Sequence, residues 1–374
     1  MNSSEIRNLL REAAEKTYAC EYADDADKEN LFVVSHTLAR GGAPLVLLEL
    51  LRMLKNQFNI IMISQKDGDL WGEFNAAGIE VYVAHFYHLL DMSDEFWNSL
   101  DKVLLNTLEC LWMLPFFQNR KNRVLWWLHE PEVLFKTAVT KMIPMRQLSK
   151  NIIPVSVTEE TASCVKKYCY YDTKIMHMGI IDRYAPEKEE VHEKVTFFMP
   201  AAFQPIKGQD IAVNAILQLP DEYRNRACFV FAGMYDENYP EWYQLVEKVA
   251  QAFPENIKML GCLPQNEVYD WYVKSDCVWA PSRADATPTT IVEGMMFRKL
   301  CIVSDAAGIS RYMTDGQNGF IFKSEKVEEL VEILKKVIDN YSDMEEIRDE
   351  GRKIYLSSFE QGVVYKQLLS ILNR

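Results

Sequence analysis

The eight cysteines, Cys20, Cys110, Cys164, Cys169, Cys228, Cys262, Cys277 and Cys301, contain no CxxC spacing, which removes the usual zinc and dithiol motifs. Several lie in apolar runs such as ACFVFAG, so they read as buried thiols in a reducing cytosol. No stretch approaches ~18 apolar residues, and no basic start leads into an apolar run, so neither a spanning helix nor a signal peptide is expected. The sequence also lacks GxGxxG and GxxxxGK[ST], which disfavours dinucleotide oxidoreductases and P-loop ATPases. A net charge of -13 argues against nucleic acid as a partner, because phosphate contacts need concentrated Lys and Arg. We find no internal repeat and no low-complexity tract.

What is present is an ordinary soluble composition, 48% hydrophobic and 25% charged, over 374 residues. That length exceeds the ~250–300 residues at which a single core stops growing, so two domains are expected. Apolar strands alternate with helical patterns from residue 31 onward, the mark of parallel sheets covered on both faces. The strands fall at 31–35, 59–64, 80–84, 102–106, 123–128, 152–157 and 174–177, then at 195–199, 228–232, 257–260, 277–280, 300–304 and 319–322. Between the sets lies DRYAPEKEEVHEK, 182–194, a polar linker with a charge run. The fold class is therefore α/β, with two Rossmann-like doubly wound domains facing across a cleft, spanning 1–183 and 184–358. Ligands of such sheets bind outside the carboxyl ends of the strands. Residues 3–17 also look helical, without an assigned role.

The most informative stretch is 280–319, beginning APSRADATPTTIVEG. A strand ends in a polar loop carrying Asp285, and a helix then starts at Thr287 and Pro288. Proline suits the first helical position and Thr287 the N-cap. The amides of Thr289, Thr290 and Ile291 then lie at the positive end of a helix dipole, where a diphosphate can bind. Glu293, one to two turns in, can accept hydrogen bonds from a ribose diol. An acid on an otherwise apolar helix needs a partner if buried; the bland alternative is an exposed helix glutamate, and for Asp285 an Asx-turn. On the other half, HTLARGGAPLVLLELL places Gly41, Gly42 and Pro44 between a strand and a helix, which lets a backbone approach a ligand or merely makes a turn.

Two acids separated by seven residues across a strand, loop and helix, followed by Gly308, Asp315-Gly316 and Asn318-Gly319, resemble glycosyltransferase family 4. The resemblance covers nearly the whole chain and is densest after residue 195. It implies the GT-B fold and a retaining glycosyltransferase, with a terminal helix, 359–374, crossing back to the first domain. It also implies roles by position. Lys207, in the KG of FQPIKGQD, would balance charge on the donor diphosphate. His129, after VLWWL, would contact the donor sugar near its reacting carbon, and Asp285 would lie at the sugar. Gly41 and Gly42 would approach the diphosphate, and the backbone of Gly261 and Leu263 would meet the base. A lone lysine is ordinarily a solvated surface residue, and an isolated histidine ordinarily caps a turn. Three positions depart from the family pattern: Asp285 where glutamate is usual, Ala202 where many relatives carry arginine, and Arg311 where relatives often carry glutamate.

The implied reaction moves a sugar from a nucleoside diphosphate sugar, UDP-, GDP- or dTDP-linked, to a glycan or lipid-linked acceptor. Cell-surface polysaccharide or glycoconjugate synthesis is the expected setting. No residue announces itself as the nucleophile that double displacement requires, and no DxD-like pair sits near the phosphate site. The resemblance implies a front-face route with Lys207, Asp285 and His129 as the catalytic set, and the missing acid pair agrees with independence of metal and cofactor. Residues 116–123 and 141–150 put apolar side chains beside bases in the only block, 102–183, where Lys and Arg outnumber Asp and Glu. Such a surface could meet anionic membrane at its cytoplasmic face, or belong to ordinary amphipathic helices. A non-catalytic nucleotide-sugar-binding subunit is the reading from a different class, and a GT-B sugar epimerase a third.

Overall fold

A computed structural model describes residues 1–20, 24–130, 132–141, 148–186, 193–285 and 287–373. The chain divides into two compact units, Met1–Ile181 with Gln361–Arg374, and Asp182–Glu360. Each unit is a sheet covered by helices.

The first unit holds β1 (Lys16–Tyr18), β2 (Glu29–Ser35), β3 (Phe58–Ser64), β4 (Val81–Val83), β5 (Lys102–Asn106), β6 (Arg123–Leu128), β7 (Ile152–Ser156) and β8 (Lys174–Ile175). Their spatial order is β1-β4-β3-β2-β5-β6-β7-β8, parallel throughout except for β1 against β4. Strands buried on both faces read as continuous apolar runs, and all seven residues of β3 are buried. One core lies on each face. The terminal helix Gln361–Leu372 belongs to one of them through Val364, Leu368, Ile371 and Leu372, and the N-terminal helix to the other through Ile6 and Leu10. The helical reading of 3–17 needs correction. The helix is Ser3–Ala13, and Lys16–Tyr18 forms an antiparallel edge strand. Pairing with β4 overrides a weak local preference, and Lys16 guards the edge against further strands.

The second unit holds β9 (Val195–Pro200), β10 (Ala227–Ala232), β11 (Ile257–Met259), β12 (Cys277–Ala280), β13 (Leu300–Ser304) and β14 (Phe320–Phe322). Their order is β11-β10-β9-β12-β13-β14, all parallel. Strand order reverses once in each unit, between β2 and β5 and between β9 and β12. Such switch points open a crevice at the carboxyl edge, because the flanking loops leave in opposite directions. Of the thiols, Cys262 is exposed and Cys20 half-buried, so the expectation of buried cysteines holds only for the other six.

Candidate active site

At the switch point of the second sheet, the chain leaves β9 through a 3₁₀ turn, Pro205–Lys207, and enters the helix Gln209–Gln218 through Gly208. Gly208 has φ 74°, and a Cβ there would stand 2.0 Å from the Pro281 carbonyl oxygen. Only glycine permits both the left-handed turn and this contact. The close approach of the two loops sets Lys207 Nζ 2.6 Å from Asp285 Oδ2. Arg283 fastens them: its amide donates to the Ile206 carbonyl at 2.8 Å, and its guanidinium to the Pro205 carbonyl at 2.7 Å and to both carboxylate oxygens of Asp210. The Asp285 carbonyl accepts from the Gly308 amide at 2.8 Å, tying in the loop after β13. Gly208→Ala should therefore destabilise the second unit by more than about 2 kcal/mol, combining backbone strain with a backbone clash. Urea unfolding checks this, and an unshifted midpoint would show that the loops can separate freely.

The next helix is Thr289–Met296, with Pro288 at the N-cap and no side-chain cap. This shifts the expected start by one residue: Thr287 is buried before the helix and Pro288 is not its first residue. The Ile291 amide bonds the Pro288 carbonyl at 3.0 Å, so the open end of the helix is carried by Thr289 and Thr290. Gly294 lets the helix press onto β12, since a Cβ would meet Val278 at 3.0 Å. That contact fixes Glu293. Tyr272 donates its hydroxyl to Glu293 Oε2 at 2.8 Å. Burial pushes the Glu293 carboxyl up to about 7, against the opposing pull of Tyr272 and Arg183. Gly261, after β11, has φ 68° and open space where a Cβ would be, with Leu263 half-buried beyond it. Arg311 is exposed and forms no ion pair among the described residues.

In the first unit, Gly41 caps the helix Gly42–Leu54 in extended conformation. A Cβ would meet nothing within 4 Å at Gly42 and only ordinary contacts at Gly41. Neither glycine is demanded by the chain itself, which leaves this helix end open to a ligand. His129 follows β6 with its ring 4.4 Å from that of Trp127, and both ring nitrogens are buried without a hydrogen-bond partner among the described residues. Burial, with His36 nearby, pushes its imidazole down to about 3, so it is neutral. Glu130 is spent on the backbone, accepting from the amides of Leu108 at 2.8 Å and His129 at 2.9 Å. Burial lifts its carboxyl to about 7.

Lys207 and Asp285 are thus in direct contact, while Glu293, Thr289 and Thr290 share one helix on the same unit. Gly41, Gly42 and His129 belong to the other unit. Sequence reasoning passed over Tyr272, which holds Glu293, and the backbone contacts of Glu130.

Residues 181–354 match the family model for glycosyl transferases group 1, and residues 27–178 match that for glycosyl-transferase family 4. The chain belongs to glycosyltransferase family 4. No curated protein matches this glycosyltransferase in sequence. Among solved structures it resembles Anabaena Alr3699/HepE in complex with UDP, with a TM-score of 0.78 and 15% identity over 92% of this chain and 99% of that one. The same protein with UDP-glucose gives 0.76 and 16% over the same shares. A glycosyltransferase from Rickettsia africae ESF-5 gives 0.74 at 16% identity, covering 93% and 98%. The lipopolysaccharide outer core galactosyltransferase WaaB gives 0.70 at 12%, covering 92% and 99%.

The basic block of this glycosyltransferase does not present the surface expected at 116–123. Phe117 is fully buried and Phe116 stacks on Trp97 at 4.5 Å. Arg120 bonds the Phe116 carbonyl and Asp94, and Arg123 bonds the Ile371 carbonyl. The apolar rings face inward because they complete a core, and two of the bases are already satisfied. The second segment, 141–150, lies mostly outside the described residues, at 142–147. Among the described residues no helix is long and apolar enough to cross a membrane.

Proposed function

We propose that this chain transfers a hexosyl group from a nucleoside diphosphate sugar to a hydroxyl of a glycan or lipid-linked acceptor, with retention of anomeric configuration. The observation that carries the reading is the Lys207–Asp285 pair, 2.6 Å apart at the β9/β12 switch point, with Asp285 four residues ahead of the open end of the helix that carries the buried carboxyl of Glu293. Binding of UDP and UDP-glucose by the Anabaena protein supports a uridine donor.

In this reading the Lys207 ammonium leaves Asp285 for the diphosphate, and the Thr289 and Thr290 amides add partial positive charge. Asp285, released, accepts hydrogen bonds from the sugar hydroxyls. Glu293 accepts from the ribose diol, and Gly261 with Leu263 flanks the base through the backbone. Ala202 supplies no charge, and Arg283 is committed to Asp210 and Glu325, so Lys207 carries most of the neutralisation. The departing diphosphate takes the acceptor proton, and neutral His129 hydrogen-bonds the transferring sugar. No metal or cofactor is needed on this route, which uses cytosolic nucleotide sugars.

Calorimetry with UDP-glucose, GDP-mannose and dTDP-glucose, with and without EDTA, should show one donor binding in the micromolar range and unaffected by chelation. Release of labelled sugar from that donor should follow. Binding without any turnover would overturn the transferase reading and leave a nucleotide-sugar-binding subunit.

A further inference from the structure

We infer that the β2/β5 switch point of the first unit is a seat for a neutral, hydroxyl-bearing sugar, read by the imidazole of His36 and held in position by Thr107. This rests on the transfer reading and deepens it, by naming the acceptor end as an uncharged carbohydrate.

The starting point is strain. Thr107, directly after β5, has φ 89° and ψ 162°, a region occupied almost only by glycine. A β-branched residue there costs about 1–3 kcal/mol. Its backbone is held by three bonds: its amide donates to the Trp127 carbonyl at 2.8 Å, and its carbonyl accepts from the Trp126 indole at 2.9 Å and from the Cys110 amide at 3.3 Å. Glycine would keep all three, so none explains a threonine. The side chain does something glycine could not, since Oγ1 lies 2.9 Å from His36 Nδ1. Its other polar neighbour is the buried Cys110 thiol, a weak partner.

His36 directly follows β2, so the bond spans the crevice where strand order reverses. Whichever of the two atoms carries the shared proton, Nδ1 is engaged by Thr107 and Nε2, as acceptor or as donor, takes no hydrogen bond among the described residues. Thr107 is therefore a positioning residue, and His36 the group that touches the ligand. The surroundings decide the ligand's charge. Lys66 pairs with Glu109 at 3.6 Å, and Arg40 pairs with Asp69 and Glu73. Burial holds the imidazoles of His36 and His129 below the usual histidine range, and both ring nitrogens of His129 are unpartnered. An anionic ligand would find the countercharges taken. Hydroxyl groups would find neutral donors and acceptors.

Saturation-transfer NMR on the full chain with saturating UDP tests this, using methyl β-glucoside, methyl β-galactoside, methyl α-mannoside and glucose 6-phosphate as probes. At least one methyl glycoside should saturate and the phosphate should not. His36→Ala and Thr107→Val should cut the signal about tenfold, and Thr107→Ser should keep it. Thr107→Gly suits the backbone, so its unfolding midpoint should equal or exceed wild type while its signal falls like that of Thr107→Val. UDP affinity should be unchanged in all four. A Thr107→Gly variant that binds like wild type, a phosphate that binds as well as the methyl glycosides, or a wild type that binds UDP and no methyl glycoside would overturn the inference. A wild type that fails to bind UDP would strike the donor reading first, and this inference with it.

Discussion

Lys207→Ala should lower sugar transfer by about 10²–10³-fold in kcat while leaving the second unit folded, the scale seen when one preorganised group facing a developing anion is removed. The side chain is 30% exposed and its recorded partner is Asp285. Losing a half-exposed ion pair costs about 1 kcal/mol or less of stability. The more discriminating result concerns nucleotide affinity, where the two members of the pair should act with opposite sign. In the unliganded chain Asp285 neutralises the ammonium that UDP must recruit. Asp285→Asn removes that competitor, so UDP should bind as tightly as to wild type or tighter, while transfer falls because the sugar loses a charged acceptor. Lys207→Ala should weaken UDP about tenfold, the share of a charge-assisted bond. Calorimetry with UDP alone separates them. If both variants weaken UDP equally, the pair acts as a structural clasp and Lys207 does not meet the phosphates.

Much of this arrangement was legible because parallel sheets expose their function at strand ends. The strand segments could be located by their apolar runs, and Lys207 and Asp285 each follow one, so both were bound to lie along the same carboxyl edge. That they touch was not legible, since the contact depends on strand order and on Gly208 tucking beneath Pro281. Tyr272 was hidden for another reason: a tyrosine on a helix reads as core, and its hydroxyl meets Glu293 from 21 residues away. Thr107 was least visible of all. In NTLEC it looks like a helix cap, and only the indole and carbonyl of the neighbouring strand force the glycine-like conformation. The edge strand Lys16–Tyr18 was missed because three residues carry too little pattern, and β4 decides their state.

Glu293→Gln should make the protein both more stable and a poorer binder of its donor above neutral pH. The sign follows from linkage. A free glutamate ionises near 4.3, whereas burial holds Glu293 protonated up to about 7. Between these values the unfolded chain has released a proton that the folded chain retains. The unfolded state then binds fewer protons, so stability falls as pH rises through this window. Glutamine does not titrate, and its amide oxygen still accepts from Tyr272. The variant should match wild type near pH 4.5 and exceed it at pH 8 by on the order of 2–3 kcal/mol. At pH 8 donor affinity should drop about 10–100-fold, because a neutral amide replaces a carboxylate facing a diol. Glu130→Gln provides the contrast. Its carboxylate accepts two amide N–H groups, and an amide nitrogen in place of one oxygen would face a donor, so that variant should lose stability even at pH 8. Urea midpoints at pH 5 and 8, with UDP-sugar titrations, test both. A Glu293→Gln gain that does not change between those pH values would mean the carboxyl ionises normally. A gain in stability with unchanged donor affinity would leave Glu293 as a buried acid held by Tyr272 and remove it from the binding site. Stability given up at one buried carboxyl in exchange for ligand recognition is the trade expected of a binding site, and it separates a functional acid from one that merely packs.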